Sequence, residues 1–179
     1  MSITILRIGH RHDRDARIST HCGLVARALG ADKIIYGGEK DESLLGSVKN
    51  VAKNWGGPFK VEYAESWRKI IRQYTKKRSL VVHLTMYGLP IQKEIDRIRK
   101  KSKKGVLIII GAEKVPGEVY RLADYNIAVA NQPHSEVASL AIFLHEIQKG
   151  RELTKKFKKA KLRIIPMAVG KKVKNVGKR

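Results

Sequence analysis

Short apolar runs alternate with amphipathic segments along most of the chain. Six of the runs are rich in β-branched residues and flanked by Gly, Pro or Asp, which favours strands over short buried helices. The six predicted strands are Ile3–Ile8, Asp32–Tyr36, Phe59–Tyr63, Leu80–Leu84, Val106–Ile110 and Asn126–Ala130. Several are apolar at successive positions, a pattern typical of strands that are covered on both faces of a parallel sheet.

Between these runs, apolar residues recur at helical spacing while Lys and Arg fill the opposite side. Helices are predicted around Leu44–Trp55, Trp67–Tyr74, Ile91–Ile98 and Val137–Ile147. The last should open within residues 133–136, because Pro133 suits a first helical turn and Glu136 suits the positive helix end. This alternation predicts an α/β fold with a mostly parallel sheet flanked by helices.

Composition narrows the class of protein. The chain has 179 residues, 42% of them apolar, which is enough for the core of one domain. Its net charge of +22 creates a positive field that attracts polyanions such as nucleic acid. The single cysteine, Cys22, excludes an intrachain disulfide and is expected to be a buried, inert thiol.

No apolar run approaches the roughly 20 residues that span a bilayer, and the N-terminal segment lacks the pattern of a secretory signal. We therefore expect a cytoplasmic protein with neither a membrane nor a metal as partner.

The basic residues are concentrated at the C-terminus. Residues 150–179 contain 12 Lys or Arg and one acid, Glu152, and so carry half of the net charge. We expect residues 1–149 to form the α/β domain and residues 150–179 a basic, partly docked extension. Within it, Leu162–Gly170 is apolar enough to dock as an edge strand or extended segment, the alternative being a solvated tail.

Three loops follow the last three predicted strands: His83–Pro90, Ile110–Glu118 and Val129–Glu136. Ligands of open α/β sheets bind at the carboxyl ends of strands, and these loops mix Gly or Pro with small and polar residues. Their main-chain groups could bind an adenine or a ribose, although each loop alone could be an ordinary turn with a helix cap. Tyr87 and Tyr120 flank the loops and are candidates for exposed aromatic side chains. Neither a GxGxxG after the first strand nor a GxxxxGK[ST] occurs, so the sequence supports neither a dinucleotide fold nor a P-loop.

The segment Gly9–His21 is dense in Arg, His and Asp. Arg11, Arg14 and Arg17 could clamp a phosphate or orient a ribose hydroxyl through their planar donors. A second interpretation is a metal site formed by His10, His12, Asp15 and His21, although their spacing matches no common zinc motif. A third is a solvated loop in which Asp15 or Ser19 is the N-cap of a helix.

Four stretches together resemble a known family: LRIGHRHDRDARISTH, VVHLTMYGLP, IIIGAEKVPGEVYRLADYNIAVANQPHSEVASLAIFL and KLRIIPMAVGKKV. They are similar to the archaeal tRNA (cytidine-56) 2′-O-methyltransferases, a family of the SPOUT superfamily of trefoil-knotted methyltransferases. The similarity runs over nearly the whole chain, and AEKVP followed by NQPHSEVA is its most specific part. One departure is Ser19-Thr20 before His21, where the family commonly has two threonines.

The resemblance implies a SPOUT-like fold with a C-terminal trefoil knot, S-adenosylmethionine as methyl donor, a homodimer, and methylation of a tRNA ribose at cytidine 56 of the T-loop. It also implies which residues contact the donor. These are Leu84, Gly111, Ala112, Glu113, Lys114, Val115, Val129, Ala130, Asn131, Gln132, Pro133, His134, Ser135 and Glu136. The functional arginine of the family matches Arg17 best, with Arg14 as the second choice.

A role for Arg17 follows from its chemistry. An arginine is a poor base, so we expect Arg17 to orient the ribose or a phosphate and to stabilise the developing alkoxide. The proton would pass to phosphate, water or His21, and His134 is a further candidate. Two alternatives compete with this function: a non-catalytic basic RNA-binding protein, such as a ribosome-associated one, and a methyltransferase that modifies a base nitrogen.

Overall fold

The computed structural model describes residues 1–112 and 114–177. Eight strands are numbered in chain order: β1 (Ile3–His10), β2 (Lys33–Gly38), β3 (Lys60–Ala64), β4 (Leu80–Pro90), β5 (Val106–Gly111), β6 (Tyr125–Ala128), β7 (Leu162–Ile165) and β8 (Lys172–Asn175). The first six form one sheet in the order β3-β2-β1-β5-β4-β6, and every pairing in it is parallel. The prediction of a mostly parallel sheet is confirmed.

The helices cover both faces of this sheet. They are α1 (His12–Ala28), α2 (Glu42–Trp55), α3 (Trp67–Lys76), α4 (Ile91–Lys101), α5 (Gly117–Leu122) and α6 (Glu136–Gln148). Helices α1, α2, α4 and α6 bury apolar residues against one face, while α3 and α5 cover the other. In α4, for example, Ile91, Ile95 and Ile98 recur at helical spacing and are all buried.

Side-chain caps determine where several helices begin. The Asp41 carboxylate accepts a hydrogen bond from the Leu44 N–H at 2.9 Å at the start of α2, which satisfies an amide that has no partner within the helix. Ser135 caps α6 in the same way by accepting from the Val137 N–H. Pro133 therefore lies before the helix, and its predicted place in the first turn is wrong.

Helix α1 begins earlier than predicted, at His12, and its N-cap is Arg11. The predicted loop Gly9–His21 is thus mostly helical, and the N-cap prediction for Asp15 or Ser19 is wrong. The Asp15 carboxylate accepts from the Arg11 N–H and Nε, both at 3.0 Å, and places negative charge at the positive helix end. Ser19 lies within the helix, where its Oγ is 2.8 Å from Nδ1 of the buried His10.

Cys22 lies on the inner side of α1 and is fully buried, as predicted. Burial raises the pKa of its thiol to about 11. The thiol therefore stays protonated near neutral pH.

The C-terminal residues form a separate antiparallel hairpin, in which β7 pairs with β8. Leu162–Gly170 thus contributes a strand, β7, to this hairpin and not to the edge of the six-stranded sheet. The residue before it binds a helix end, since the Lys161 N–H donates to the Asn54 carbonyl of α2 at 2.9 Å. Within residues 1–112 and 114–177, no helix combines the length and apolar character needed to cross a membrane.

Candidate functional site

A cleft of about 680 Å³ lies at the carboxyl ends of β4, β5 and β6. This is the edge where open α/β sheets bind ligands, and the volume suits a nucleoside-sized molecule. All three predicted loops contribute to it. Its lining consists of His83, Leu84, Thr85, Met86, Tyr87, Gly111, Lys114, Val115, Gly117, Tyr120, Val129, His134, Glu136 and Ser139.

The first loop is a bulge within β4. Leu84 and Leu89 both pair with Ile127 of β6, so residues 85–88 leave the ladder beside the cleft. Gly88 is required by a close approach: a Cβ there would lie 2.5 Å from the backbone carbonyl of Asn126. The first loop therefore lies directly against the β6 backbone.

The third loop is tied to the first by Asn131. Its side-chain amide donates to the Met86 carbonyl at 2.7 Å and to the Gly88 carbonyl at 3.0 Å. The preceding residue, Ala130, has a φ of +64°, a conformation uncommon for a residue with a Cβ. This turn directs the third loop over the first, and the two together form one wall of the cleft.

His83 is a buried residue of the cleft that the sequence did not single out. Its Nδ1 lies 2.9 Å from Asn126 Oδ1, while the amide nitrogen of Asn126 donates to the Tyr120 carbonyl at 2.9 Å. Because Asn126 Oδ1 can only accept, Nδ1 carries the proton and Nε2 is a bare acceptor. Within the described residues, Nε2 has no hydrogen-bond partner. Burial lowers the pKa of His83, which keeps the ring neutral.

The aromatic residues of the cleft differ in exposure. Tyr120 packs its ring edge-on against His83, with 4.7 Å between centroids, and its hydroxyl lies 3.0 Å from Thr85 Oγ1. It is only partly exposed, so the prediction of an exposed Tyr120 is wrong. Tyr87 is 75% exposed, as predicted.

The start of α6 is held by a buried arginine. Arg7 on β1 is fully buried, and its Nη2 donates to Glu136 Oε1 at 3.0 Å. This salt bridge holds Glu136 at the cleft wall. Loss of Glu136 would leave the buried charge of Arg7 uncompensated, which is strongly destabilising. Lys114, by contrast, is an exposed cation of the cleft.

The structure brings half of the predicted donor-contact residues to the lining. These are Leu84, Gly111, Lys114, Val115, Val129, His134 and Glu136. Ala112, Ala130, Asn131, Gln132, Pro133 and Ser135 lie on the same loops outside the lining set. Glu113 falls outside the described residues. Seven lining residues were not among the predicted donor contacts: His83, Thr85, Met86, Tyr87, Gly117, Tyr120 and Ser139. Five of them lie within the predicted loops, and Tyr120 was predicted only as an exposed aromatic. Ser139, on α6, is the one of the seven that no sequence signal indicated.

The arginines of α1 lie apart from this lining. Arg14 and Arg17 are exposed in the first two turns of the helix, which starts at the same edge of the sheet because it follows β1. Arg11 instead pairs with Asp15, and its hydrogen bond lowers the pKa of that carboxyl.

The four residues of the predicted metal site do not come together. His10 contacts Ser19, Asp15 binds Arg11, and His12 lies exposed beside Asp13. His21 is exposed on α1. No group of three or more potential metal ligands forms within the described residues, so the metal-site interpretation is wrong for these four.

Comparisons with known proteins agree on one family. A family model described as tRNA ribose 2′-O-methyltransferase, aTrm56, matches residues 55–174. The tRNA (cytidine(56)-2′-O)-methyltransferase of Thermococcus kodakarensis is 56% identical over 173 residues, covering 96% of each chain. The enzyme of that name from Methanocaldococcus jannaschii is 56% identical over 174 residues, covering 97% of this chain and 96% of its own.

Solved structures share the fold at low sequence identity. The TrmH/SpoU tRNA modifying enzyme of A. aeolicus superposes with a TM-score of 0.61 at 14% identity, covering 85% of this chain and 76% of its own. The SpoU methyltransferase AviRb of Streptomyces viridochromogenes, in complex with AdoMet, superposes with a TM-score of 0.60 at 17% identity. The match covers 84% of this chain and 58% of the AviRb chain. The predicted SPOUT-like fold is confirmed, and the non-catalytic alternative is not supported. The chain belongs to the aTrm56 family of tRNA ribose 2′-O-methyltransferases.

Proposed function

We propose that this chain transfers the methyl group of S-adenosylmethionine to the ribose 2′-oxygen of cytidine 56 in the T-loop of tRNA. The observation that carries the proposal is the cleft at the ends of β4, β5 and β6, in a chain 56% identical to an enzyme named for that nucleotide. The reaction takes place in the cytoplasm, where the tRNA pool is.

The cleft fits the donor. Its volume of about 680 Å³ accommodates an adenosyl group with its amino-acid tail. The bare Nε2 of His83 offers an acceptor, and exposed Lys114 offers a cation for a carboxylate. When bound, S-adenosylmethionine supplies an electrophilic methyl carbon on a sulfonium. The proposed contact residues are Leu84, Gly111, Ala112, Glu113, Lys114, Val115 and Val129 to Glu136.

We assign Arg17 to the substrate, with Arg14 as the second choice. Arg17 orients the ribose or a neighbouring phosphate, and its fixed positive charge stabilises the alkoxide that forms as the 2′-hydroxyl loses its proton. Phosphate, water or His21 accepts that proton.

Arg17 lies outside the lining of its own cleft, so we place it at the cleft of a second copy in a homodimer. Ile142 supports a dimer face on α6. It is an apolar side chain that is 47% exposed, on a helix that packs beside α1.

The trefoil knot is supported by the first loop, which lies against the β6 backbone at Gly88 and accepts hydrogen bonds from the Asn131 side chain.

Methylation of unmodified tRNA transcripts with labelled donor tests the function. We expect label at one ribose, mapped to nucleotide 56 by nuclease digestion and mass analysis, and none on a transcript with 2′-deoxycytidine there. Label retained on the deoxy transcript would favour base methylation instead.

Single-turnover rates of Arg17→Ala and Arg17→Lys should both fall well below the wild-type rate. Near-wild-type rates in both variants would remove Arg17 from the chemistry.

A further inference from the structure

We propose that the C-terminal hairpin and the end of α2 form a binding surface for the RNA phosphate backbone, at the opposite end of the sheet from the methyl-donor cleft. The proposal rests on the proposed function and adds to it the part of the protein that holds tRNA outside the methylated loop. This hairpin surface consists of Arg163, Lys172 and Lys174 on the hairpin, Lys159 and Lys161 before it, and Lys49 and Lys53 on α2.

The segment that precedes the hairpin, residues 155–161, is attached to the core. The Lys155 ammonium donates to the Gly30 carbonyl at 3.0 Å. The Arg27 guanidinium lies 4.4 Å above the centre of the Phe157 ring, a cation–π contact, and Arg27 also donates to the Gly56 carbonyl at the end of α2. These contacts fix the path of the chain across the helix ends.

The base of the hairpin is held equally closely. The Lys161 N–H donates to the Asn54 carbonyl, and the Gly57 N–H donates to the Lys158 carbonyl at 3.1 Å. Gly56 has a φ of +87°, and a Cβ there would lie 2.7 Å from the Lys158 carbonyl. Backbone hydrogen bonds therefore hold the base of the hairpin against the C-terminal end of α2.

One face of the hairpin carries like charges in direct opposition. Arg163 pairs with Lys174, and Lys172, two residues from Lys174, points to the same face. Like charges across a ladder destabilise it, and within the described residues none of these three cations forms an ion pair. Glu152, the single acid of residues 150–179, is buried against His145 at 2.7 Å and so does not face them. A polyanion would relieve this repulsion.

Two hollows lie where the hairpin and the residues before it meet α2. A groove of about 920 Å³ is lined by Asn54, residues 159–162 and residues 175–177. A neighbouring hollow is lined in part by Lys49, Lys53, Lys159 and Lys161. Four lysines around a concave surface suit a chain of phosphates, which Lys binds as a point charge.

The hairpin surface lies away from the methyl-donor cleft. Helix α2 ends just before β3 begins, so its C-terminus lies at the amino edge of the parallel sheet, whereas the cleft lies at the carboxyl edge. The 13 residues of α6, which run from one edge to the other, span about 20 Å. An RNA that contacts both places must extend beyond the methylated loop.

The experiment compares two RNAs, full-length tRNA transcript and an isolated T-arm stem-loop, with wild type and with the triple variant Arg163→Gln, Lys172→Gln, Lys174→Gln. For full-length tRNA we expect KM to rise with kcat unchanged, and the salt slope of binding to fall by about three, one per lost phosphate contact. For the T-arm, KM and the slope should be unchanged. The matched control Lys69→Gln, Arg72→Gln, Lys76→Gln removes the same charge from the exposed surface of α3 and should leave both RNAs unaffected.

Each other result contradicts the proposal. Unchanged affinity and slope in the hairpin variant would remove this surface from RNA binding. An equal loss on the T-arm would place it at the methylated loop, and an equal loss in the α3 control would show only non-specific charge. Failure of the proposed function is distinguishable: wild type would then methylate neither RNA, while the binding comparison would still report on the hairpin.

Discussion

His83 shows how a single buried atom can indicate a ligand contact. Its Nδ1 proton is committed to Asn126, so the ring presents Nε2 as an acceptor that nothing in the described chain satisfies. A buried, unsatisfied polar group costs free energy, and such atoms in a folded protein call for an explanation. Since His83 belongs to the cleft lining, a donor group of the bound nucleoside would satisfy Nε2.

His83→Asn should separate this role from a structural one. An asparagine amide can still donate to Asn126 in place of Nδ1, but it removes the acceptor at Nε2. We expect affinity for S-adenosylmethionine to fall about tenfold, the effect of one hydrogen bond, measured by calorimetric titration.

Because burial lowers the pKa of His83, wild-type affinity for S-adenosylmethionine should stay constant as the pH falls from 7.5 to 6.5.

His83→Gln is the matched control, because its amide oxygen can reach the position of Nε2, and it should recover part of the affinity. If His83→Asn binds the donor as tightly as wild type, Nε2 has no role in binding. The sequence places His83 at the start of the predicted loop His83–Pro90 but does not single it out, since a histidine that ends the apolar run LVVHL also looks like an ordinary core position.

At the scale of elements, prediction succeeded where burial imposes a period. The strands and the helices with an apolar stripe were predicted because both faces of the sheet are covered. The start of α1 was not, because His12 to Arg17 carries no apolar period and is held by polar contacts such as Arg11 with Asp15. The β7–β8 pairing was also missed, since Lys172–Asn175 contains only one apolar residue.

The close approach of β4 to β6 yields a prediction of its own. In Gly88→Ala, the new Cβ would lie 2.5 Å from the Asn126 backbone, so the first loop must move away from β6 and lose the Asn131 bonds. We expect the free energy of unfolding to fall by about 1–3 kcal/mol, measured by urea denaturation, together with weaker donor binding.

Gly46→Ala is the control for Gly88→Ala, because a Cβ at Gly46 on α2 meets nothing within 4 Å. This variant should be more stable by about 1 kcal/mol, the helix preference of alanine over glycine. Unchanged stability and donor affinity in Gly88→Ala would contradict the close packing of the first loop on β6.

At the scale of the whole molecule, the position of Arg17 bears on assembly. Arg17 is exposed near the start of α1, at the sheet edge that holds the cleft, yet outside the cleft lining of its own chain. If a twofold dimer supplies Arg17 to the partner's cleft, each site is composed of two chains. Loss of the arginine in one chain and loss of the cleft in the other would then be complementary.

Mixed dimers test this arrangement. Arg17→Ala removes the arginine, and Gly117→Trp fills the cleft from an exposed position where a Cβ has space. Each variant alone should be inactive on tRNA. After subunit exchange, half of the dimers are mixed and each has one complete site, so methylation should recover to about a quarter of the wild-type rate. Continued inactivity, with mixed dimers demonstrated by differential tagging, would place Arg17 at its own cleft and require α1 to move during the reaction.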